Sequence, residues 1–294
     1  MQTCRPVPAN KECDATRAAV CPVALKAAAS MSREHLSYVQ QMCVKSVGRS
    51  MQRTDMIGPG ARIGVAVSGG ADSWVLLEVL RRRQRIVPFR YEIMVLHLNP
   101  GFDPDNHAPL LDWLAKFGVS GHVEVTDHGP RGHSEENRKN SACFYCARLR
   151  RKRLFELCRQ YTLSHLAFGH NADDLASTFF MNLLQNGRVD GLSMKDAFFQ
   201  GRLTIIRPLI LIEKSDIIRA ARQWKLPVWH NPCPSAGHTR RAAIENFVRD
   251  TCGQSPLTKK NLFNGLRKWQ LQLTQNAKAG KIGEETKKLR FPGA

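Results

Sequence analysis

The chain has 294 residues, 43% of them hydrophobic, with 44 Lys and Arg against 25 Asp and Glu, a formal net charge of +19. That length allows one large domain or two small ones, and no apolar run is long enough to span a bilayer. The cationic excess points to a polyanionic partner, with nucleic acid first because Lys and Arg neutralise phosphate; the plain alternative is a basic protein without one.

The nine cysteines are an odd count in a chain too long for a small secreted disulfide framework. Metal binding or catalysis is the better expectation, in a cytoplasmic protein with no membrane attachment. From the amino terminus, AAVCPVALKAAAS (18–30) resembles a signal peptide superficially. Lys26 interrupts its apolar part and acidic residues precede it, which argues against secretion. Cys4, Cys13 and Cys21 lack metal-ligand spacing. The expected division is a partly disordered tail and lead-in helix (1–50), a principal domain (51–255), and a basic helix and tail (256–294).

Apolar runs predict strands at 62–67, 92–98, 122–126, 165–169 and 203–209. Amphipathic runs predict helices at 72–84, 107–117, 146–161, 172–186, 213–224 and 239–251, with a further basic helix from Lys259. Several strands are continuous rather than alternating, as in strands covered on both faces. Strands alternating with helices predict an α/β, doubly wound parallel sheet with a helical C-terminal extension. Such sheets bind ligands beyond the carboxyl ends of their strands.

The first strand runs into SGGADS, Ser68–Ser73, and then into a helix. Free N–H groups and the dipole at that helix start favour an anion. Gly69 and Gly70 are expected to let the backbone approach closely at positive φ, with Ser68 and Ser73 offering hydroxyl donors. The P-loop lysine is missing, and GPGARIG precedes its strand rather than following it, so neither common glycine loop is present. A tight turn capped by Asp72 is the bland reading; the fit of the whole hexapeptide to a phosphate favours an anion site. His97 lies near the end of the second predicted strand, within reach of a nucleotide there.

Two further motifs carry chemistry. CFYCARLRRKRLFE (143–156) opens with a C-x-x-C just before the predicted helix, a spacing that suits one metal or cluster, a redox pair or a zinc half-site. The basic run after it is expected to lower the thiol pKa values, or else to be a solvated face. GHNADDLASTFFMNLL (169–184) follows the fourth strand. Asp173 and Asp174 either complement the dipole or hold Mg²⁺ and move protons. His170 is a turn residue or a nucleotide contact. Leu175, Phe179 and Leu183 form an i, i+4 stripe read as core, and Cys158 likewise.

SGGADS resembles the S-G-G-x-D-S loop of the PP-loop ATPases, which cleave ATP between the α- and β-phosphates. Ala71 stands where close relatives often carry lysine. The resemblance implies an adenine nucleotide α-hydrolase-like fold. By it, Ser68, Gly69, Gly70, Asp72 and Ser73 hold ATP and Mg²⁺, with His97, Gly169, His170 and Asp174 beside the nucleotide and Asp72 and Asp173 acting in catalysis.

CFYCARLRR, GHNADD…TFFMNLLQNG and IIRPLI (205–210) occur in the order found in TtcA-type tRNA 2-thiocytidine synthetases, over residues 50–255. In that family a distant third cysteine joins the C-x-x-C around a [4Fe-4S] cluster, which implies Cys143, Cys146 and Cys233 as ligands, with Cys233 also catalytic. The surroundings of Cys233, NPCPSAGHTRRAAIENFV (231–248), lean towards the TtuA-like 2-thiouridine enzymes. The implied activity is adenylation and thiolation of an anticodon-loop cytidine in tRNA. An unidentified sulfur donor and a homodimer are the implied partners, and Arg148, Arg150, Arg151 and the 259–290 tail the tRNA-facing cations. Other PP-loop RNA-modifying chemistry (2-thiouridine or lysidine type) and a zinc-stapled, non-catalytic RNA-binding protein are the alternatives.

Overall fold

Six strands form one sheet in the order β3-β2-β1-β4-β6-β5, in a computed structural model that describes residues 35–237, 240–253 and 255–278. The strands are β1 (Arg62–Ala66), β2 (Glu92–Asn99), β3 (Gly121–Val125), β4 (His165–Ala167), β5 (Lys195–Phe198) and β6 (Leu203–Ile206). The helices are α1 (Tyr38–Thr54), α2 (Ala71–Arg83), α3 (Ala108–Phe117), α4 (His128–Gly132), α5 (Ala142–Gln160), α6 (Ala172–Asn186), α7 (Lys214–Gln223), α8 (Arg240–Gly253) and α9 (Pro256–Lys278). Cys4, Cys13, Cys21 and the end of the basic tail lie outside the described residues. Among the described residues no helix is long and apolar enough to cross a membrane.

The sheet is parallel from β3 through β6. Its sixth strand, β5, pairs antiparallel with β6 at the edge, a strand the hydrophobic pattern does not announce. The chain moves outward from β1 to β2 and β3, then returns to lay β4 on the other side of β1. The strand order therefore reverses between β1 and β4. A crevice opens outside the carboxyl ends at such a reversal, and the SGGADS and GHNADD segments follow the two strands that flank it.

Period-2 alternation explains the continuous apolar runs. Ile63, Val65 and Val95 face a core shared with α1, α2, α6 and α7. Leu96, Leu98 and Leu166 face the opposite side, against Leu154, Leu157 and Cys158 of α5. With both faces covered, outward polar positions have no place in these strands. Helix α2 is almost wholly interior, with Trp74, Val75, Leu76, Leu77, Val79 and Leu80 buried. Its one buried acid, Glu78, pairs with Arg81 and Arg82. The boundary expected between residues 50 and 51 falls inside α1, whose Cys43, Val47 and Met51 belong to the same core.

The apolar stripe of α6 fades along the helix. Leu175 is buried, but Leu183 is 37% exposed and is not core. Cys158 is buried as expected, and burial pushes its thiol up to about 12.

Candidate functional site

The loop Ser68–Ser73 turns sharply at Gly69, the only one of its two glycines at positive φ (+94°). Gly70 has φ −72° and is the N-cap of α2, so the expectation of two left-handed glycines is corrected to one. A Cβ on Gly69 would come within 2.4 Å of the Trp229 ring, so this position needs glycine for conformation and for space. Ser73 Oγ accepts from the Ser68 N–H at 3.1 Å and donates to the Gly70 carbonyl at 2.9 Å, folding the loop on itself. The Trp74 N–H bonds to the Gly70 carbonyl. The N–H groups of Ala71, Asp72 and Ser73 therefore stand at the open helix end, where the dipole favours an anion.

Segment 169–174 packs directly on this loop. A Cβ on Gly169 would meet backbone atoms of Asp72 and Ser73 at 2.9–3.0 Å, so Gly169 allows the two crevice walls to touch. Asn171 caps α6 in a reciprocal box with Asp174, and its Nδ2 donates to Asp72 Oδ1 at 3.0 Å. Asn171 was not singled out as a site residue, although N-x-x-D before an apolar run is a readable cap signal. Asp173 Oδ2 accepts from the Lys214 N–H at 2.7 Å, tying α6 to α7. Asp174 pairs with Arg241. Burial raises the pKa of Asp72, and the charges of Asp174 and Asp173 push the same way. An incoming cation would relieve that cost.

His97, buried, and His170, half-buried, lie beside this crevice as neutral rings. His97 Nδ1–H donates to the Val67 carbonyl at 2.8 Å. Its Nε2 has no hydrogen-bond partner among the described residues, nor has Nδ1 of His170. Burial lowers both pKa values to about 4, below the ordinary imidazole value of 6.5. The unfolded chain therefore binds more protons between those two values, and stability is lost as pH falls from 6.5 through 4. For His97 the full effect is on the order of 3 kcal/mol. Urea unfolding midpoints are expected to fall over that window and to fall less steeply in His97→Gln. An unchanged pH slope in the variant would contradict a buried neutral ring.

The three cysteines named from the sequence come together. Ser141 caps α5, accepting from the Phe144 N–H, so the helix begins at Ala142 rather than at Cys146. Cys143 and Cys146 thus sit in the first turn, one helical step apart on one face. Cys233 arrives from the connection after α7 and lies close enough to raise the pKa of both partners. For Cys143 and Cys146 alike, desolvation is the larger cause of the upward shift. The expected lowering by the basic run is thereby corrected: Arg150 pulls Cys146 down, but burial and the neighbouring thiols outweigh it. Among the described residues no group of three or more His, Cys, Asp or Glu is arranged to hold a single metal ion. The donor set, three thiols from two segments, is of a kind that suits an iron–sulfur cluster or a zinc ion. Cys43 is buried core, with its thiol pushed up to about 12. Cys252 lies apart, in a cavity of about 380 Å³ with Asp173, Asp174, Lys214 and Lys259.

Residues 229–233 connect the two halves. The Trp229 N–H donates to the Gly69 carbonyl at 3.0 Å, and its ring packs edge-on against Trp74 and His97. Asn231 Nδ2 donates to the Ser68 carbonyl at 3.4 Å, and its Oδ1 accepts from Asn106 at 2.6 Å. Two residues later comes Cys233. Four residues of extended chain span at most about 14 Å, so the backbone of Cys233 stays within that distance of Trp229, which is bonded to the anion loop. Trp229 carries no local sequence signal, and Asn231 only opens the segment around Cys233; the topology puts them there.

Arg148, Arg150 and Arg151 are exposed on α5. Arg150 acts electrostatically on Cys146, His97 and His170, so its charge reaches both halves of the site. Lys259, the first cation of the C-terminal stretch, pairs with Glu213 at 2.6 Å.

The family model described as a PP-loop domain matches residues 44–251. The tRNA-cytidine(32) 2-sulfurtransferase of Geotalea uraniireducens is 34% identical over 225 residues, covering 75% of this chain and 88% of its own. That of Citrifermentans bemidjiense is 33% identical over 223 residues, covering 75% and 87%. Among solved structures, U34-tRNA thiolase NcsA from Methanococcus maripaludis with its [4Fe-4S] cluster aligns at a TM-score of 0.64 and 21% identity, covering 79% of this chain and 80% of that one, a likeness of fold.

Proposed function

The chain belongs to the PP-loop family, with tRNA-cytidine(32) 2-sulfurtransferases as its relatives, and from that premise we infer that it is an ATP-dependent tRNA sulfurtransferase acting on a cytidine. The observation that carries this reading is one segment, Trp229–Cys233, that closes on the anion loop at one end and on the paired cysteines at the other. Activation and sulfur delivery to one atom need two sites that close together.

In this reading the N–H groups of Ala71, Asp72 and Ser73 hold the phosphates of ATP, and Gly69 lets the loop close under the Trp229 ring. Magnesium needs only one or two carboxylates when phosphates complete its shell. Asp173 accepts from the Lys214 N–H and Asp174 is paired with Arg241; Asp72, though its Oδ1 accepts from Asn171, stands in the anion loop itself and is assigned to the cation. When bound, that ion would neutralise charge developing on the phosphates. The base must be unstacked to enter, which is cheapest in a single-stranded loop. Its carbonyl oxygen attacks the α-phosphorus, the bond to the β-phosphate oxygen breaks, and pyrophosphate leaves. Loop N–H groups stabilise the transition state because they are already oriented. The adenylated oxygen then departs as AMP when a sulfur nucleophile takes its place on the ring carbon. His97 and His170 stay neutral and leave the anionic intermediate without a competing acid.

Cys143, Cys146 and Cys233 would hold a [4Fe-4S] cluster, which when bound supplies an iron without a protein ligand as the attachment point for sulfur. Exposed Arg148, Arg150 and Arg151 supply cations for the tRNA backbone. Incubation of the anaerobically reconstituted protein with ATP, tRNA transcript and sulfide as the sulfur source tests the reading. AMP and pyrophosphate should appear in equal amounts only when tRNA carrying the target cytidine is present. ATP turnover indifferent to that base would exclude it.

A further inference from the structure

A histidine outside every motif stands at the cysteine cluster. His133 directly follows α4, and α4 is pressed onto the start of α5. A Cβ on Gly132 would meet the Ala142 carbonyl at 2.8 Å and Cys146 Cβ at 3.5 Å. The His133 ring is held edge-on by Phe102, centroids 5.7 Å apart. Its Nε2 lies 3.9 Å from Cys233 Sγ and 3.4 Å from Ser235 Oγ. The Ser235 side chain in turn hydrogen-bonds the Cys143 thiol. Cys146 already has the Arg150 charge. Each sulfur therefore has its own compensating group, drawn from a different segment of the chain.

We propose that His133 and Ser235 are positioning residues for the cysteine cluster: His133 Nε2–H donates to Cys233 Sγ and Ser235 Oγ, and the Ser235 hydroxyl donates to Cys143 Sγ. This rests on the reading of the three cysteines as cluster ligands. Hydrogen bonds to ligand sulfur stabilise the more negative, reduced cluster and so raise its reduction potential. They also fix the direction of the thiolates, and outer partners of this kind are commonly worth 10–100-fold in metal affinity. The pair further explains the sequence after Cys233: Cys233-Pro-Ser235 turns back through the Ala236 N–H to Cys233 carbonyl bond, 3.0 Å, and holds the hydroxyl on the cysteine side.

The test compares full-length wild type, His133→Phe, His133→Gln and Ser235→Ala, each reconstituted anaerobically with iron and sulfide. The readouts are the reduction potential, from mediated titration, and the rate of iron loss to a chelator. His133→Phe and Ser235→Ala should shift the potential negative and lose iron about tenfold faster. His133→Gln, whose amide N–H reaches the Nε2 position, should retain the wild-type potential. ATP affinity should be equal in all four, which reports that each has folded. If His133→Phe fails that check, Ser235→Ala carries the test alone. Unchanged potential and iron loss overturn the proposal while the cluster reading stands, and so does a Gln variant that behaves as Phe. A wild type that takes up no iron overturns the cluster reading, and the proposal with it.

Discussion

Asp72→Ala is expected to abolish tRNA-dependent pyrophosphate release, by about 10³-fold or more, in a protein that folds as well as the parent. The two halves of that expectation have one cause. Asp72 is held in the wall of the crevice by Asn171 and by the close approach of Gly169. Burial and the charges of Asp174 and Asp173 make its ionised form costly. A group kept charged at such a cost weakens the empty protein and acts only when a cation and phosphates arrive. Removing it should therefore leave the melting temperature equal or higher while activity disappears. Asp72→Asn keeps an acceptor for the Asn171 amide but not the charge, and should be equally inactive. Retained turnover in both variants, measured as pyrophosphate release at saturating ATP and tRNA, would refute the assignment of the loop.

Cys233→Ser is the second large effect: loss of the cluster with ATP binding retained. The thiol sits two residues beyond Asn231 and four beyond Trp229, and those two residues, not the thiol, contact the anion loop. The variant should bind ATP within about twofold of wild type, since independent sites add, yet bring down no iron after anaerobic reconstitution. Iron content unchanged from wild type would show that Cys233 is the wrong third ligand. A wild type that is colourless, zinc-replete and iron-free would instead favour a structural zinc site.

The strands and the two crevice motifs were legible because they are local. A parallel strand covered on both faces must be apolar throughout, and Ile63–Val67 and Ile93–Leu98 are nearly so. The anion loop and the cap of α6 are short segments whose residue types dictate their own geometry. What was not legible is set by packing between distant segments. β5 has only four residues, mostly exposed, so neither burial nor alternation marks Lys195–Phe198. The start of α5 was missed because its signal is the capping hydroxyl of Ser141, well before Arg148, the first charged residue of the helix. Trp229 and His133 have no motif at all, and Asn231 only opens the segment around Cys233. They reach the site because α7 packs on α2, which the anion loop opens, and because α4 abuts α5. Local charge also misled about the thiols: an arginine-rich run suggested low pKa values, but only Arg150 reaches Cys146, and desolvation dominates.

The most direct test of tRNA thiolation by this chain is nucleoside mass spectrometry of tRNA from a strain lacking it, with and without the gene restored. Absence of 2-thiocytidine in the deletion strain, and its return with wild type but not with Asp72→Ala or Cys233→Ser, is the predicted result. Unaltered 2-thiocytidine, or loss of a 2-thiouridine in its place, would contradict it.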